Sequence, residues 1–327
     1  METRRLGKTG FEVSAIGFGG WAIGADWGTV DDETSMAALH AAVDAGVRFI
    51  DTADAYGDGR SERLIARLRR ERSERIVVAT KVGRRAPSQV LAAYTPENLR
   101  AWVERSRENL ESETLDLVQL HCPPTDVFYH PEVFAVLDEL VSAGRIAHYG
   151  VSVERVEEGL KALDYPGVST VQVIYNIFRQ RPAERFLPAA RAADVGVIVR
   201  VPLASGLLTG KLTRETTFAP DDHRNYNRRG EAFDVGETFA GVDYATGLAA
   251  VEELRGLVPA GEDLVSLALR FCLSDPAVST VIPGAKTPEQ ARDNAAAGER
   301  GPLEPELRRR LSDLYRERIA PQVHNRW

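Results

Sequence analysis

Phe49-Ile50-Asp51-Thr52-Ala53-Asp54-Ala55-Tyr56-Gly57 joins an apolar strand to a carboxylate and sets a tyrosine five residues further on. Two later runs end in the same way. Ile76-Val77-Val78-Ala79-Thr80-Lys81 closes on a lysine, and Leu115-Asp116-Leu117-Val118-Gln119-Leu120-His121 closes on a histidine. Three successive strands thus each deliver an ionisable side chain. If those strands are parallel neighbours, Asp51, Tyr56, Lys81 and His121 meet at one mouth.

Working outward, the chain opens with Arg5-Leu6-Gly7-Lys8-Thr9-Gly10-Phe11-Glu12-Val13, which reads as a hairpin around a glycine-bounded turn. A short apolar run covers Ser14 to Phe18. Met36, Leu39 and Val43 then recur at helical spacing within 32–45, and Gly46 suits a left-handed terminator before the strand at 47–51. Helices follow near 60–70, 96–110 and 131–143, alternating with strands at 76–81, 115–120 and 145–151. Thr95-Pro96 supplies an N-cap and a proline at the first helical position. The second half continues with a helix at 153–163, a strand at 170–174, a helix at 183–193 and a strand at 197–201. An irregular stretch spans 212–242, and long loops of this kind are often lids. Helices near 243–256 and 263–274, a strand at 278–282 and a helix from 288 complete the pattern. Such alternation requires parallel strands covered by helices. Eight strand–helix units with one insertion and no linker predict a single (β/α)8 barrel domain over residues 1–327, of the TIM-barrel class, with an N-terminal β-hairpin and a long loop after strand 7. A doubly wound open sheet is the alternative.

A formal charge of −7 argues against a duplex-binding surface, and basic runs such as Arg67 to Arg72 are interleaved with glutamate and leucine as in solvated helix faces. Cys122 and Cys272 are the only cysteines. Two so far apart make no disulfide framework and fit a reducing compartment, so the expected location is cytoplasmic. Met1 to Leu6 lacks the apolar core of a secretion signal, and no run approaches the roughly 18 apolar residues that span a bilayer. The expected partner is a small molecule, neither nucleic acid nor membrane. Sequence leaves the oligomeric state open.

The working face of a parallel barrel lies at the carboxyl ends of its strands. A lysine ammonium beside a phenol lowers the phenol's pKa, so Tyr56 is expected to titrate closer to working pH and to act as general acid toward a carbonyl oxygen. Asp51 would orient Lys81 through an ion pair, and a neutral His121 would donate to the substrate oxygen. None of the four supplies a hydride, so carbonyl reduction here requires a reduced nicotinamide cofactor. His121-Cys122 precedes Pro123-Pro124 and has no second Cys/His pair at ligand spacing, so no metal site is expected.

Gly17-Phe18-Gly19-Gly20-Trp21-Ala22 lacks the third glycine of the dinucleotide fingerprint, and Gly210-Lys211-Leu212 fails the Walker pattern. Later strand ends offer substitutes. Ser152 and Gln172 suit a carboxamide, and Arg200 ends a strand. The run from Pro202 and Leu203 through Ser205, Gly206 and Leu208 to Lys211 suits a pyrophosphate. Gly284 and Lys286 precede a helix whose amino terminus makes an anion site.

Together these segments resemble the aldo-keto reductase family over nearly the whole chain. Arg5 to Gly10, Asp51 to Gly57 with Ser61-Glu62, Ala79 to Lys81, Leu115 to His121, Gly150 to Ser152, Val171-Gln172 with Tyr175-Asn176, Pro202 to Lys211 and Ile282 to Asn294 carry the likeness. The resemblance implies a barrel closed below by the hairpin, extended NADP(H) across the top, and a catalytic tetrad of Asp51, Tyr56, Lys81 and His121 with Tyr56 as proton donor. It also implies that Gly20 and Trp21 border nicotinamide and substrate, and that Lys286, Gln290 and Asn294 face the adenosine end. Three positions depart from the family pattern. Arg200 replaces an aromatic ring, Val153 an asparagine, and Gln290 an arginine for the ribose phosphate. NADP selectivity then leans on Lys286, and NAD(H) is possible. Substrate contacts are expected from Trp21, Tyr56, His121, Phe128, Tyr129 and the 212–242 loop. The resulting expectation is reduction of aldehydes or ketones. The alternatives are sugar or polyol oxidation, and a cofactor-binding regulatory subunit such as the β-subunits of potassium channels.

Overall fold

The computed structural model describes residues 1–24, 27–28 and 30–327. Strands β1 (Thr3–Arg5) and β2 (Glu12–Ser14) form an antiparallel hairpin. Eight parallel strands follow: β3 (Phe18–Gly19), β4 (Phe49–Asp51), β5 (Val77–Val82), β6 (Leu115–His121), β7 (Ile146–Ser152), β8 (Val168–Ile174), β9 (Gly196–Arg200) and β10 (Val278–Val281). Each pairs with the next, and parallel bridges Ile16–Val281 and Gly19–Gly284 join the first to the last. The ring is closed, and the open-sheet alternative is set aside.

The helices are α1 (Trp21–Gly24) and α8 (His223–Tyr226) at the barrel mouth, and α2 (Asp32–Asp44), α3 (Arg60–Glu71), α4 (Pro96–Asn109), α5 (Pro131–Ser142), α6 (Val156–Ala162), α7 (Phe186–Ala192), α9 (Tyr244–Arg255), α10 (Leu264–Leu273), α11 (Pro288–Ala297), α12 (Pro305–Leu314) and α13 (Ala320–Val323) elsewhere. Thr95 caps α4 by accepting from Asn98 N, and Gly46 adopts φ +91° after α2, both as the sequence predicts. Helix α6 is shorter than expected because the Glu158 carboxylate accepts from the Glu154 and Arg155 amides at 3.0 Å, fixing its start. Helix α7 starts late, after a 3₁₀ turn at Arg181–Ala183. Helices α12 and α13 were not anticipated. The 212–242 stretch is irregular yet well packed. Phe239 and Asn227 are buried, and Asn227 Oδ1 accepts from Ala232 N at 2.8 Å and Phe233 N at 2.9 Å.

Two layers fill the barrel. The lower is apolar: Phe49, Val77, Ala79, Leu117, Ile198 and Ile282 pack with Leu6 and Val13, so the hairpin plugs the floor. The upper is polar, with Asp51, Gln119 and Gln172 rising from alternate strands β4, β6 and β8. No helix among the described residues is long and apolar enough to cross a membrane.

Leu6→Ala should lower stability by about 2–4 kcal/mol through the cavity left in the floor. Denaturant unfolding measures this; an unchanged midpoint would mean that the hairpin does not close the barrel.

Candidate active site

Strand register builds the site. Asp51 lies beside Ala79, Lys81 beside Gln119, His121 beside Ser152, and Ser152 beside Gln172. The side chains at these strand ends therefore converge on one mouth. Lys81 Nζ donates to Asp51 Oδ2 at 2.6 Å, to the Thr52 carbonyl at 3.1 Å and to Tyr56 OH at 3.1 Å. Asp51 Oδ1 accepts from Gln172 Nε2 at 2.7 Å and Gln119 Nε2 at 3.3 Å. The His121 ring stands edge-on to Tyr56 with centroids 5.7 Å apart. Gly24 lets α1 seat against Tyr56, since a Cβ there would come within 2.6 Å of the Tyr56 Cβ.

Burial pushes the Tyr56 phenol above its ordinary range, and the Lys81 ammonium opposes this without reversing it. The expected downward shift is therefore corrected: removal from water outweighs the neighbouring cation. For Lys81, burial acts downward most strongly, but the attractions and hydrogen bonds of Asp51 and Tyr56 together hold the ammonium above its ordinary value. Burial, helped by Arg84, Lys81 and Arg200, holds His121 well below the ordinary imidazole range, so its ring is neutral at pH 7.

These groups lie in one cavity of about 640 Å3, which also takes in Trp21, Ser152, Gln172, Arg200, Pro202, Leu203, Ser205, Gly206, Lys211, Gly284, Lys286, Gln290 and Asn294. Lys286 Nζ donates to the Trp27 carbonyl, and its backbone amide donates to Gln290 Oε1 at 2.8 Å. The segment after β9 is conformationally strained: Val201, Ala204 and Ser205 have φ of 51°, 47° and 53°. Positive φ is a marked outlier for β-branched Val201 and concentrates at working sites.

Four expected contacts fall elsewhere. Cys122, at φ 45°, turns the chain after β6 into a 3₁₀ segment at Thr125–Tyr129. That carries Phe128 into the core, where its carbonyl accepts from Tyr165 OH at 2.7 Å, and leaves Tyr129 63% exposed. Neither lines the cavity. Gly20 sits behind the wall, its amide donating to Asp51 O at 2.7 Å, and Leu208 is buried in the core. Arg200 lines the cavity but is ion-paired, Nη1 with Glu237 and Nη2 with Glu154 Oε2 at 3.2 Å.

Sequence reasoning missed Trp27, Arg84, Gln89, Arg224, Phe233 and Glu237. Arg84 was within reach, since it follows the Lys81 strand end directly. Arg224, Phe233 and Glu237 lie in the 212–242 stretch, where nothing in the sequence pattern distinguishes them. Trp21 packs against Tyr56, Trp27 and His223 with centroids 6.1, 5.5 and 4.6 Å apart, making one wall aromatic.

A closed barrel thus gathers an ionisable cluster at the carboxyl ends of its strands, the face on which enzymes of the (β/α)8 class carry their active sites. The aldo/keto reductase family model matches residues 15–316, and the chain belongs to that family. It is 33% identical to Aldo-keto reductase YhdN of Bacillus subtilis (strain 168), over 89% of this chain and 86% of that one. It is 29% identical to the NADH-specific methylglyoxal reductase of Escherichia coli (strain K12), over 91% and 93%. Among solved structures, glycerol dehydrogenase from Gluconobacter oxydans superposes with a TM-score of 0.78 at 30% identity, covering 99% of this chain and 97% of that one.

One buried group near the site lies outside the tetrad. Asp54 is buried, its carboxylate has no hydrogen-bond partner among the described residues, and burial, reinforced by Glu62, pushes it up to about 7. The folded state therefore holds a proton that the unfolded chain releases near pH 4. Stability attributable to Asp54 is greatest at low pH and is lost as pH rises from about 4 through about 7, by about 4 kcal/mol. Asp54→Asn should gain stability over the parent as pH rises from 5 to 8. Melting curves across that range check this; a pH-independent difference would refute it.

Proposed function

We propose that the protein is an NADPH-dependent reductase of aldehydes or ketones, with Tyr56 as proton donor. The observation that carries the reading is the single ammonium, Lys81, within hydrogen-bonding distance of both Tyr56 OH and Asp51 at the floor of a cavity that continues to Lys286. A nicotinamide dinucleotide fits the residues along that cavity. His121 Nδ1 and Arg200 Nε are buried polar atoms without hydrogen-bond partners among the described residues, and the strained segment from Val201 to Gly206 lines the wall beside them. Ser152 and Gln172 would hold the carboxamide, Lys211 the pyrophosphate, and Lys286, Gln290 and Asn294 the adenosine end. When bound, the reduced cofactor supplies the hydride.

The chain's own groups do the rest. Neutral His121 donates to the substrate oxygen and orients it without adding charge. Tyr56, kept protonated by burial, gives its proton to that oxygen as negative charge develops there. Lys81 stabilises the phenolate left behind, and Asp51 fixes Lys81. Trp21, Trp27 and Phe233 make an apolar wall for the substrate and exclude water.

The oxidative direction, on a sugar or polyol, is a second reading. Arg200 is paired with Glu237 and Glu154, which lessen the charge that would otherwise oppose oxidised nicotinamide, and the Gluconobacter relative is a glycerol dehydrogenase.

Tyr56→Phe should lower kcat for carbonyl reduction by about 10²–10⁴-fold while leaving the NADPH Kd within about twofold. Full turnover by that variant would remove Tyr56 from the role. Lys286→Ala should weaken NADPH by about tenfold and NADH by less than about threefold, because one ammonium near the added phosphate disappears. Titration of both nucleotides measures this; equal losses would count against the phosphate role.

A further inference from the structure

The cavity wall beside the tetrad holds a charge cluster that proton donation does not use. Arg200, at the end of β9, is buried, with Nη1 paired to Glu237 and Nη2 bonded to the Val153 carbonyl at 2.9 Å and to Glu154 Oε2 at 3.2 Å. Arg84 donates to Glu154 Oε1 at 3.0 Å and lies 3.8 Å from Glu237 Oε1. Arg179 donates to the Glu154 carbonyl at 2.7 Å. Two guanidiniums, Arg84 and Arg200, thus share two carboxylates while Arg179 holds the backbone of one, and of those two carboxylates Glu237 is contributed by the long segment after β9. Arg200 and Glu237 line the same cavity as Tyr56 and His121, and the charge of Arg200 is felt at the His121 ring.

We infer that Glu237 is a specificity-determining residue: it is the counter-ion that sets the relative affinity of this site for oxidised and reduced nicotinamide dinucleotide. The inference rests on the proposal that such a cofactor occupies the cavity. Oxidised and reduced forms differ by one positive charge on the nicotinamide ring and share their phosphates and sugars. A charge in the wall near that ring separates them, whereas a charge near the phosphates does not. Arg200 alone would penalise the oxidised ring. Burial, reinforced by Glu154, pushes Glu237 up to about 7 against the pull of Arg200, so above that pH its carboxylate is ionised and offsets the penalty within a low-dielectric wall. The loop holds Glu237 firmly. Ser205 Oγ donates to the Glu237 carbonyl at 2.9 Å and accepts from Phe239 N at 3.1 Å, fixing the backbone on both sides. Trp327 braces the same turn, its indole donating to Asp234 Oδ1 at 2.8 Å with the Arg179 guanidinium 4.1 Å from its ring centroid.

The test is the ratio of the Kd values for NADP⁺ and NADPH at pH about 8.5, where Glu237 is ionised, measured by tryptophan fluorescence without turnover, in the parent, E237Q, R200M and the charge-compensated double variant. E237Q should raise the ratio roughly tenfold, because one uncovered positive charge opposes only the oxidised ring. R200M should move it the opposite way, and the double variant should return within about threefold of the parent. Circular dichroism checks that each is folded. If E237Q does not fold, R200M and the double variant, which differ only at Glu237, decide the matter. Equal ratios in that pair, or single variants that shift the ratio in the same direction, would overturn the inference and leave the reductase reading intact. A parent protein that binds neither nucleotide would remove both.

Discussion

The buried contact between Lys81 and Asp51 is the constraint around which the top of the barrel is arranged. Removing two charges from water is costly, and their attraction offsets the cost only when the two charged groups also find hydrogen-bond partners for their other atoms. The barrel meets that condition by spending its upper layer on it. Gln119 and Gln172 bond one carboxylate oxygen, Lys81 takes the other, and the Thr52 carbonyl and Tyr56 hydroxyl complete the ammonium's shell. Loss of either partner would strand a charge at a cost of about 3–5 kcal/mol. The same arrangement explains why Tyr56 remains a neutral phenol. An ammonium already bonded to a carboxylate has less field to lend, and burial decides the direction.

Much of this was legible because strand ends advertise themselves. Asp51, Lys81 and His121 each terminate an apolar run, and three such endings on consecutive strands bring side chains together in any parallel barrel. Position beyond a strand end is another matter. The left-handed turn at Cys122 sends Phe128 and Tyr129 away from the cavity, and no composition rule distinguishes that turn from one leading inward. The upward shift at Tyr56 was equally hidden, since sequence shows which charges are nearby but not how completely water is excluded. The sequence does show the 212–242 stretch to be irregular. Its packing depends on single polar contacts such as those of Asn227, which leave no periodic trace.

Arg200 shows how a local departure is absorbed by distant parts of the chain. A guanidinium at the end of β9 is intolerable in a buried wall without carboxylates, and the strand itself provides none. Glu154 comes from the turn after β7, and Glu237 from a loop that crosses the barrel mouth. That loop is anchored in turn through Ser205, a residue at φ 53°, and through the indole of Trp327. Backbone strain at Val201, Ala204 and Ser205 is thus tied to the placement of a charge, because the strained turn positions the hydroxyl that holds Glu237. Strain of this kind persists only where surrounding contacts over-determine it. The ion pair with Arg200 is one such contact, so the cavity wall and the loop covering it stabilise each other. A substitution in the loop far from Tyr56 would therefore act on the site through the charge beside it.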